Sequence, residues 1–243
     1  MAGAGKKTFT AGEVLTASDT NTYLMEQTVM NFAGTASRAS AIPTPSTGMT
    51  SYIGVTGTAS IPQIEVYTGS AWQTPYGLTQ LANISHSAST TLNVNNVFSS
   101  AYNAYRIIIT RASSVSATDV NMQMRTGTTN TGTTIYSHSR IYGAFSGGSL
   151  TGAGTSGQTA WTTGCVTNNI TFAHSVIDVF SPFQAAQTTF TSASVDTRTP
   201  ADGSTGLGFV GGVIRDTVSY DGFSLGAGVN LTMDVRVYGF RNS

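Results

Sequence analysis

The chain has 243 residues, of which 40% are apolar and only 9% charged, and its 11 basic and 11 acidic side chains cancel. An average soluble protein carries about 25% charged residues; here Ser, Thr, Gly, Ala and Asn cover the surface instead, a composition that favours β structure and disfavours disorder, which needs low hydrophobicity with high net charge. Beyond Lys6-Lys7 there is no basic cluster, which excludes an electrostatic grip on nucleic acid or on an anionic membrane surface.

The run FTAGEVLTASDTNTYLMEQTVMNFAGTASRASAIPTPSTGMTSYI, residues 9 to 53, sets the organisation of the chain. Thr16 and Asp19 have capping-box spacing: the hydroxyl accepts from the amide of residue 19, and the carboxylate reaches back to the amide of residue 16. A helix is therefore expected to start near Thr16 and run about three turns, with Asp19 suiting its positive end. Tyr23 and Leu24 give that helix only a thin apolar stripe, and short helices are marginal alone in water. It must dock on another part of the chain or on another subunit.

Val29-Met-Asn-Phe32 then reads as a short strand, and Pro43, Pro45 and Gly48 force an extended, turning connection. In IEVYTGSAWQTP, strand-forming residues flank Gly69-Ser70, the composition of a tight hairpin that brings Tyr67 towards Trp72. Tyr23, Leu24, Val29, Phe32, Tyr67 and Trp72 are the candidate attachment or oligomer contacts.

From about residue 83, strand-like runs recur between Gly, Asn, Asp and Ser breaks: 105–110, 120–126, 135–142, 170–180, 188–195, 207–214, 223–231 and 233–240. About eight strands with turn signals between them predict an antiparallel β-sandwich, jelly-roll-like. The expected division is an extended attachment and oligomerisation module over residues 1–80 and a projecting sandwich over 81–243. Asp234 and Arg236 alternate with Val235 and Val237, so one face is core and the other wet.

The stretches FTAGEVLTASDTNTYLMEQ, RASAIPTPSTGM and EVYTGSAW together resemble the opening of tailed-bacteriophage virion proteins, the minor tail and tail-fibre-like family. NVFSSAYNAYRIII, YDGFSL and VRVYGF are similar to the C-terminal β domains of such proteins. The close likeness covers about the first third of the chain. It implies a virion structural protein assembled in the host cytoplasm, most simply a tail fibre that contacts the host surface. A head fibre or capsid decoration protein is the nearest variant, and a polysaccharide-degrading spike the next. Trimers are usual among such proteins, so the resemblance implies a homotrimer whose residues 1–80 dock on other tail, baseplate or capsid proteins.

No constellation for catalysis, metal or cofactor emerges, and the chain is read as a non-enzyme. Gly152-Ala-Gly-Thr-Ser-Gly157 matches G-x-G-x-x-G, but a dinucleotide site needs a strand before the glycines and a helix after them; this run reads as a flexible loop. His86, His138 and His174 stand apart from other ligands at metal spacing. Asp216 and Asp221 are the closest acidic pair, and a glycosidase needs two carboxylates facing across a cleft; Asp221 has a ready role as a turn residue instead. Around the Gly-rich segment, Tyr142, Phe145 and Trp161, with Asn168 and Asn169, form the candidate host-contact loop, in which aromatic faces would stack on sugars. The competing reading has Phe145 and Trp161 covering the sandwich end or facing another subunit. The lone Cys165 reads as a buried apolar residue and excludes an intrachain disulfide. No signal-peptide pattern is evident, and no window approaches the roughly 18 apolar residues that read as a transmembrane helix.

Overall fold

A computed structural model describes residues 10–20, 29–54, 63–74, 77–144, 150–167, 172–196 and 206–241. The chain divides into two compact units, Met1–Gly77 and Leu78–Ser243, and is mainly β, its larger unit a curled, sandwich-like antiparallel sheet.

In the first unit the capping box is formed. The Thr16 hydroxyl accepts from the Asp19 amide at 3.1 Å, and the Asp19 carboxylate accepts from the Thr16 amide at 3.2 Å, opening α1 (Ala17–Asp19). The rest of the expected three-turn helix, with Tyr23 and Leu24, lies outside the described residues. Next come β1 (Met30–Phe32), α2 (Thr35–Ala41), β2 (Thr50–Ile53), β3 (Gln63–Tyr67) and β4 (Trp72–Gln73). β1 runs parallel to β2, while β2–β3 and β3–β4 are antiparallel. α2 forms the crossover between the parallel strands, where the sequence predicts only an extended connection. The β3–β4 hairpin turns at Gly69 with φ of +100°, which a glycine accepts without strain. It brings the Tyr67 and Trp72 rings to 5.5 Å.

The second unit contains β5 (Leu78–Val94), β6 (Tyr102–Ser114), β7 (Thr118–Thr126), β8 (Thr129–Asn130), β9 (Tyr136–Ala144) and β10 (Thr151–Gln158). It continues through β11 (Trp161–Thr167), β12 (Ala173–Phe180), β13 (Thr189–Asp196), β14 (Gly206–Ile214) and β15 (Gly222–Arg241). Among the described residues the order is β10-β9-β14-β13-β12-β6-β15-β7-β11, with β5 also on β15 and β8 on β7. The two runs that read as separate strands at 223–231 and 233–240 are one strand, β15. Its first residues pair with β7 and its later ones with β6, while β5 follows it along both parts. The register shifts between Gly226 and Leu231, around Gly228 at φ +70°. There the ribbon bends and carries the sheet from one layer into the other.

The Gly152–Gly157 run is not a loop: Thr151–Thr155 pair in regular antiparallel register with Tyr142–His138. Its side chains are too small on both faces to give the alternation that marks a strand.

The sheet curls until β11 lies across β9, β13 and β14. Ser192 and Ser194 donate to the Thr163 and Gly164 carbonyls at 2.6 and 2.7 Å, and the Trp161 indole N–H is shared between the Ser137 and Val213 carbonyls at 3.2 and 3.3 Å. Between the layers lies the core, including Tyr105, Ile107, Ile109, Met122, Met124, Tyr136, Trp161, Phe190, Tyr220 and Phe223. Ser175–Ser192 and Ser114–Thr167 hydroxyl pairs lie within it at 2.9 and 2.8 Å. A core can hold Ser and Thr in this way because buried hydroxyls are tolerated where they pair.

Candidate functional site

The most informative surface is the outer face of β6, β12, β13, β14 and β9, where polarity is inverted locally, around Ser175, Ser192, Ser194 and Gly208. A half-exposed antiparallel sheet puts apolar residues inward and polar ones outward. In β12 and β13, Ser175, Ser192 and Ser194 point inward at 2%, 3% and 5% exposure, as does Gly208 of β14. Their outward neighbours are Val176, Ala193, Val195, Leu207 and Phe209. The inversion follows from the approach of β11. A Cβ on Gly164 would stand 2.9 Å from both Ser194 Oγ and Val210 Cγ2, so the backbone of β11 sits where side chains would otherwise fill the space.

Register lines the outward residues up. Ile108, Val176, Ala193, Phe209 and Ile141 are successive cross-strand partners, and His174, Val195 and Leu207 form the neighbouring row. Phe209 is 56% exposed, Ile141 52% and Val195 42%. Between the two rows lies a pocket of about 510 Å³ lined by Ile108, Thr110, His174, Val195, Leu207 and Phe209 among others. On the other side of the apolar row, Asp178 stands opposite Arg106 and Thr191. Arg106 holds it in a two-pronged pair at 2.7 and 2.8 Å, and this bond raises the Arg106 pKa. Beyond it, Ser137, Ser139, Ser156 and Gly211 are among the residues that line a second trough of about 420 Å³. An apolar centre with a polar rim is the anatomy of a contact surface.

The host-contact loop expected from sequence does not assemble in that form. Trp161 is in the core with 0% exposure, its ring edge-on to Tyr136 at 5.3 Å and 4.3 Å from Phe190. It cannot stack on a ligand at the surface, so that assignment is corrected. Tyr142 is exposed at 39%, with the Arg140 guanidinium 5.0 Å from its ring centre. Phe145, Asn168 and Asn169 lie outside the described residues. Sequence reasoning misses Phe209, Leu207, Val195, Val176 and Ile141; the available signal is the alternation of apolar residues with Gly and Ser in GLGF and TSASV, which reads equally well as core.

In the first unit, Val29 is 59% exposed just before β1, while Phe32, Tyr67 and Trp72 are partly buried. Trp72 is engaged within its own unit. Arg38 of α2 is buried, its guanidinium 4.3 Å from the Trp72 ring centre and bonded to the Glu65 carboxylate and, at 3.4 Å, to Ser51. Burial lowers the Arg38 pKa. This pair pins α2 onto β2, β3 and β4.

The carboxylates singled out from sequence have structural partners. Asp216 accepts from the Tyr220 hydroxyl at 2.7 Å, and Asp221 accepts from the Gly127 amide through both oxygens at 3.0 and 2.9 Å. Next to Asp221, the buried Arg125 donates to the side-chain oxygens of Asn93, Asn95 and Asn130 and to the Thr128 carbonyl, so neutral oxygens satisfy its charge. His138 is partly buried; burial first, then Arg140, lowers its pKa against the opposing pull of Asp119. Among the described residues no three His, Cys, Asp or Glu side chains are grouped to hold a metal, and no helix is long and apolar enough to cross a membrane. No protein-family model, curated protein or solved structure matches the chain.

Proposed function

We propose that the chain is a structural protein of a bacteriophage particle: a tail fibre or fibre-like component that attaches through residues 1–80 and presents its β domain to the host surface. The observation that carries this reading is the local inversion of polarity around Ser175, Ser192, Ser194 and Gly208, which leaves an apolar, aromatic-bearing patch outward on a chain with few charges. Exposed apolar area of this continuity marks a contact surface. The resemblance of the N-terminal stretches to phage virion proteins supplies the setting, and with it homotrimeric assembly and neighbouring virion proteins as partners. The ligand class that fits the face is a neutral surface glycan. Phe209 offers a ring to the apolar side of a sugar, and Thr191, Ser139 and the Arg106–Asp178 pair offer hydrogen bonds to its hydroxyls. Single contacts of this kind are weak, and repetition over subunits supplies avidity.

The test is location. Particles banded from a lysate of the producing cells are labelled with an antibody against residues 78–243 and viewed by electron microscopy. Label on tail or fibre supports the proposal. Label on the head moves the protein to capsid decoration, and its presence only in the soluble fraction overturns the reading.

A further inference from the structure

β10 ends the described sheet on one side, paired with β9 and with no other strand among the described residues. Residues 151 to 157 are all exposed. An edge strand offers a row of unpaired N–H and C=O groups, and monomeric proteins blunt such edges with Lys, Pro, bulges or a covering segment. Thr151-Gly-Ala-Gly-Thr-Ser-Gly157 has no charge, no Pro and no large side chain. The strand at the other end of the order, β11, is treated differently: six of its seven residues are buried, so that edge is covered. Of the two ends of the described order, β10 is the one left open over its length.

The order of residues in β10 adds a second observation. Thr151-Gly152-Ala153-Gly154-Thr155 reads the same in both directions. It is also the straight part of the strand, since the register breaks only beyond Thr155 and Gly157 turns away at φ +66°. When a palindromic strand meets a second copy of itself antiparallel about a two-fold axis, every residue faces its own kind. Thr151 falls opposite Thr155 of the second copy, Gly152 opposite Gly154, and Ala153 opposite itself. Cross-strand Thr pairs are favourable, and like charges directly opposite one another, the usual obstacle to self-pairing, are absent. A two-fold contact of one patch with itself is the commonest way proteins associate.

We propose that two copies of the chain associate edge to edge through β10, about a two-fold axis at Ala153, so that the curled sheet runs on from one copy into the next. The axis stands perpendicular to the joined strands. The outward apolar rows of the two copies therefore look the same way and lie on one continuous face.

Charge reversal at the threonines tests both the contact and its register in the full-length chain. In the double variant Thr151→Lys/Thr155→Lys, every pairing across the axis sets one ammonium against another. In Thr151→Lys/Thr155→Asp, every such pairing sets an ammonium against a carboxylate. Light scattering over a concentration series is expected to show the wild-type assembly losing half its mass in the Lys/Lys variant, with association weakened on the order of tenfold or more, and recovering it in the Lys/Asp variant. Because the variants differ only in the sign of one side chain, recovery separates a lost contact from a lost fold. The proposal is overturned if wild type and the Lys/Lys variant have the same mass, or if the Lys/Asp variant stays dissociated. A wild-type chain that is monomeric throughout the series also overturns it, and leaves the edge to an extended segment of another protein. None of these outcomes depends on whether the chain is found on a particle.

Discussion

Replacing Trp161 by Ala distinguishes a core residue from a ligand-stacking one. The side chain is fully buried against Tyr136 and Phe190, and removing a buried Trp costs about 3–5 kcal/mol through lost transfer energy and the cavity left behind. The two carbonyls that share its N–H, those of Ser137 and Val213, also lose their donor; since an unsatisfied buried group costs about 1–3 kcal/mol, the upper part of that range is expected. For a domain of this size each kcal/mol shifts Tm by roughly 2–4 °C, giving a drop of roughly 8–20 °C. The chain has two tryptophans, Trp72 and Trp161, which fall in different compact units, so the emission left in the variant reports only the first unit. Unfolding of the β unit should therefore be followed by far-UV circular dichroism in urea. A loss of less than about 1 kcal/mol, with binding to host cells abolished, would refute the burial argument and return Trp161 to the surface.

Glu65→Gln should destabilise the first unit by about 3–5 kcal/mol, because it leaves the Arg38 charge buried without its counter-ion. Trp72 emission reads this directly, and pairing the change with Arg38→Met should recover most of the loss; no recovery would mean the ion pair is not what holds α2. Alkaline pH supplies another test. The Tyr136 phenol, which accepts from the Met124 amide and donates to the Thr131 carbonyl, is pushed by burial from an ordinary 10.0 up to about 12. A raised folded-state pKa contributes stability that is complete below about pH 10 and is lost as pH rises through about 12, here about 3 kcal/mol. Tyr136→Phe should make the loss of stability over that window shallower, the remaining slope coming from Tyr105 and Tyr220, which burial also pushes up; an unchanged slope counts against the assignment. Phe209→Asp should cost stability only about 1 kcal/mol, through the lost cross-strand contacts and the poor strand preference of Asp, while lowering adsorption of the full-length chain to host cells. Full adsorption would remove the outer sheet face as the contact surface.

Local signals are legible in the sequence and non-local ones are not. The Thr16–Asp19 capping box and the turn at Gly69 are complete within four residues, so they can be read directly. A strand with β-branched residues on one face, such as the later part of β15 with Val235 and Val237, is visible through its period of two. That period fixes which residues share a face but not which face is buried. Around Ser194 and Gly208 the choice is made by β11, whose backbone at Gly164 takes the inner side. β10 gives no pattern because Gly, Ala, Ser and Thr leave both faces alike. α2 escapes notice because seven residues are too few to hold a helix alone and Pro43 and Pro45 follow it at once; it is held by Arg38 reaching Glu65, 27 positions away. The Gly-rich neighbours of Trp161 suggest a loop, and only the curl of the sheet buries it.

The position of β15 governs when this unit can form. It lies between β6, β7 and β5, and Phe240 pairs with Leu78, so the first strand of the unit is completed by the last. A nascent chain that has emerged as far as β14 therefore holds β5 without its described partner and two groups of strands with no strand pairing between them. Closing so long a loop before any contact repays it makes such pairing slow, and the waiting chain exposes open edges to its neighbours. On a polysome, where copies emerge side by side, those edges compete with β15 for the same hydrogen bonds. Temperature and expression rate should then limit the yield of soluble protein even where the finished fold is stable.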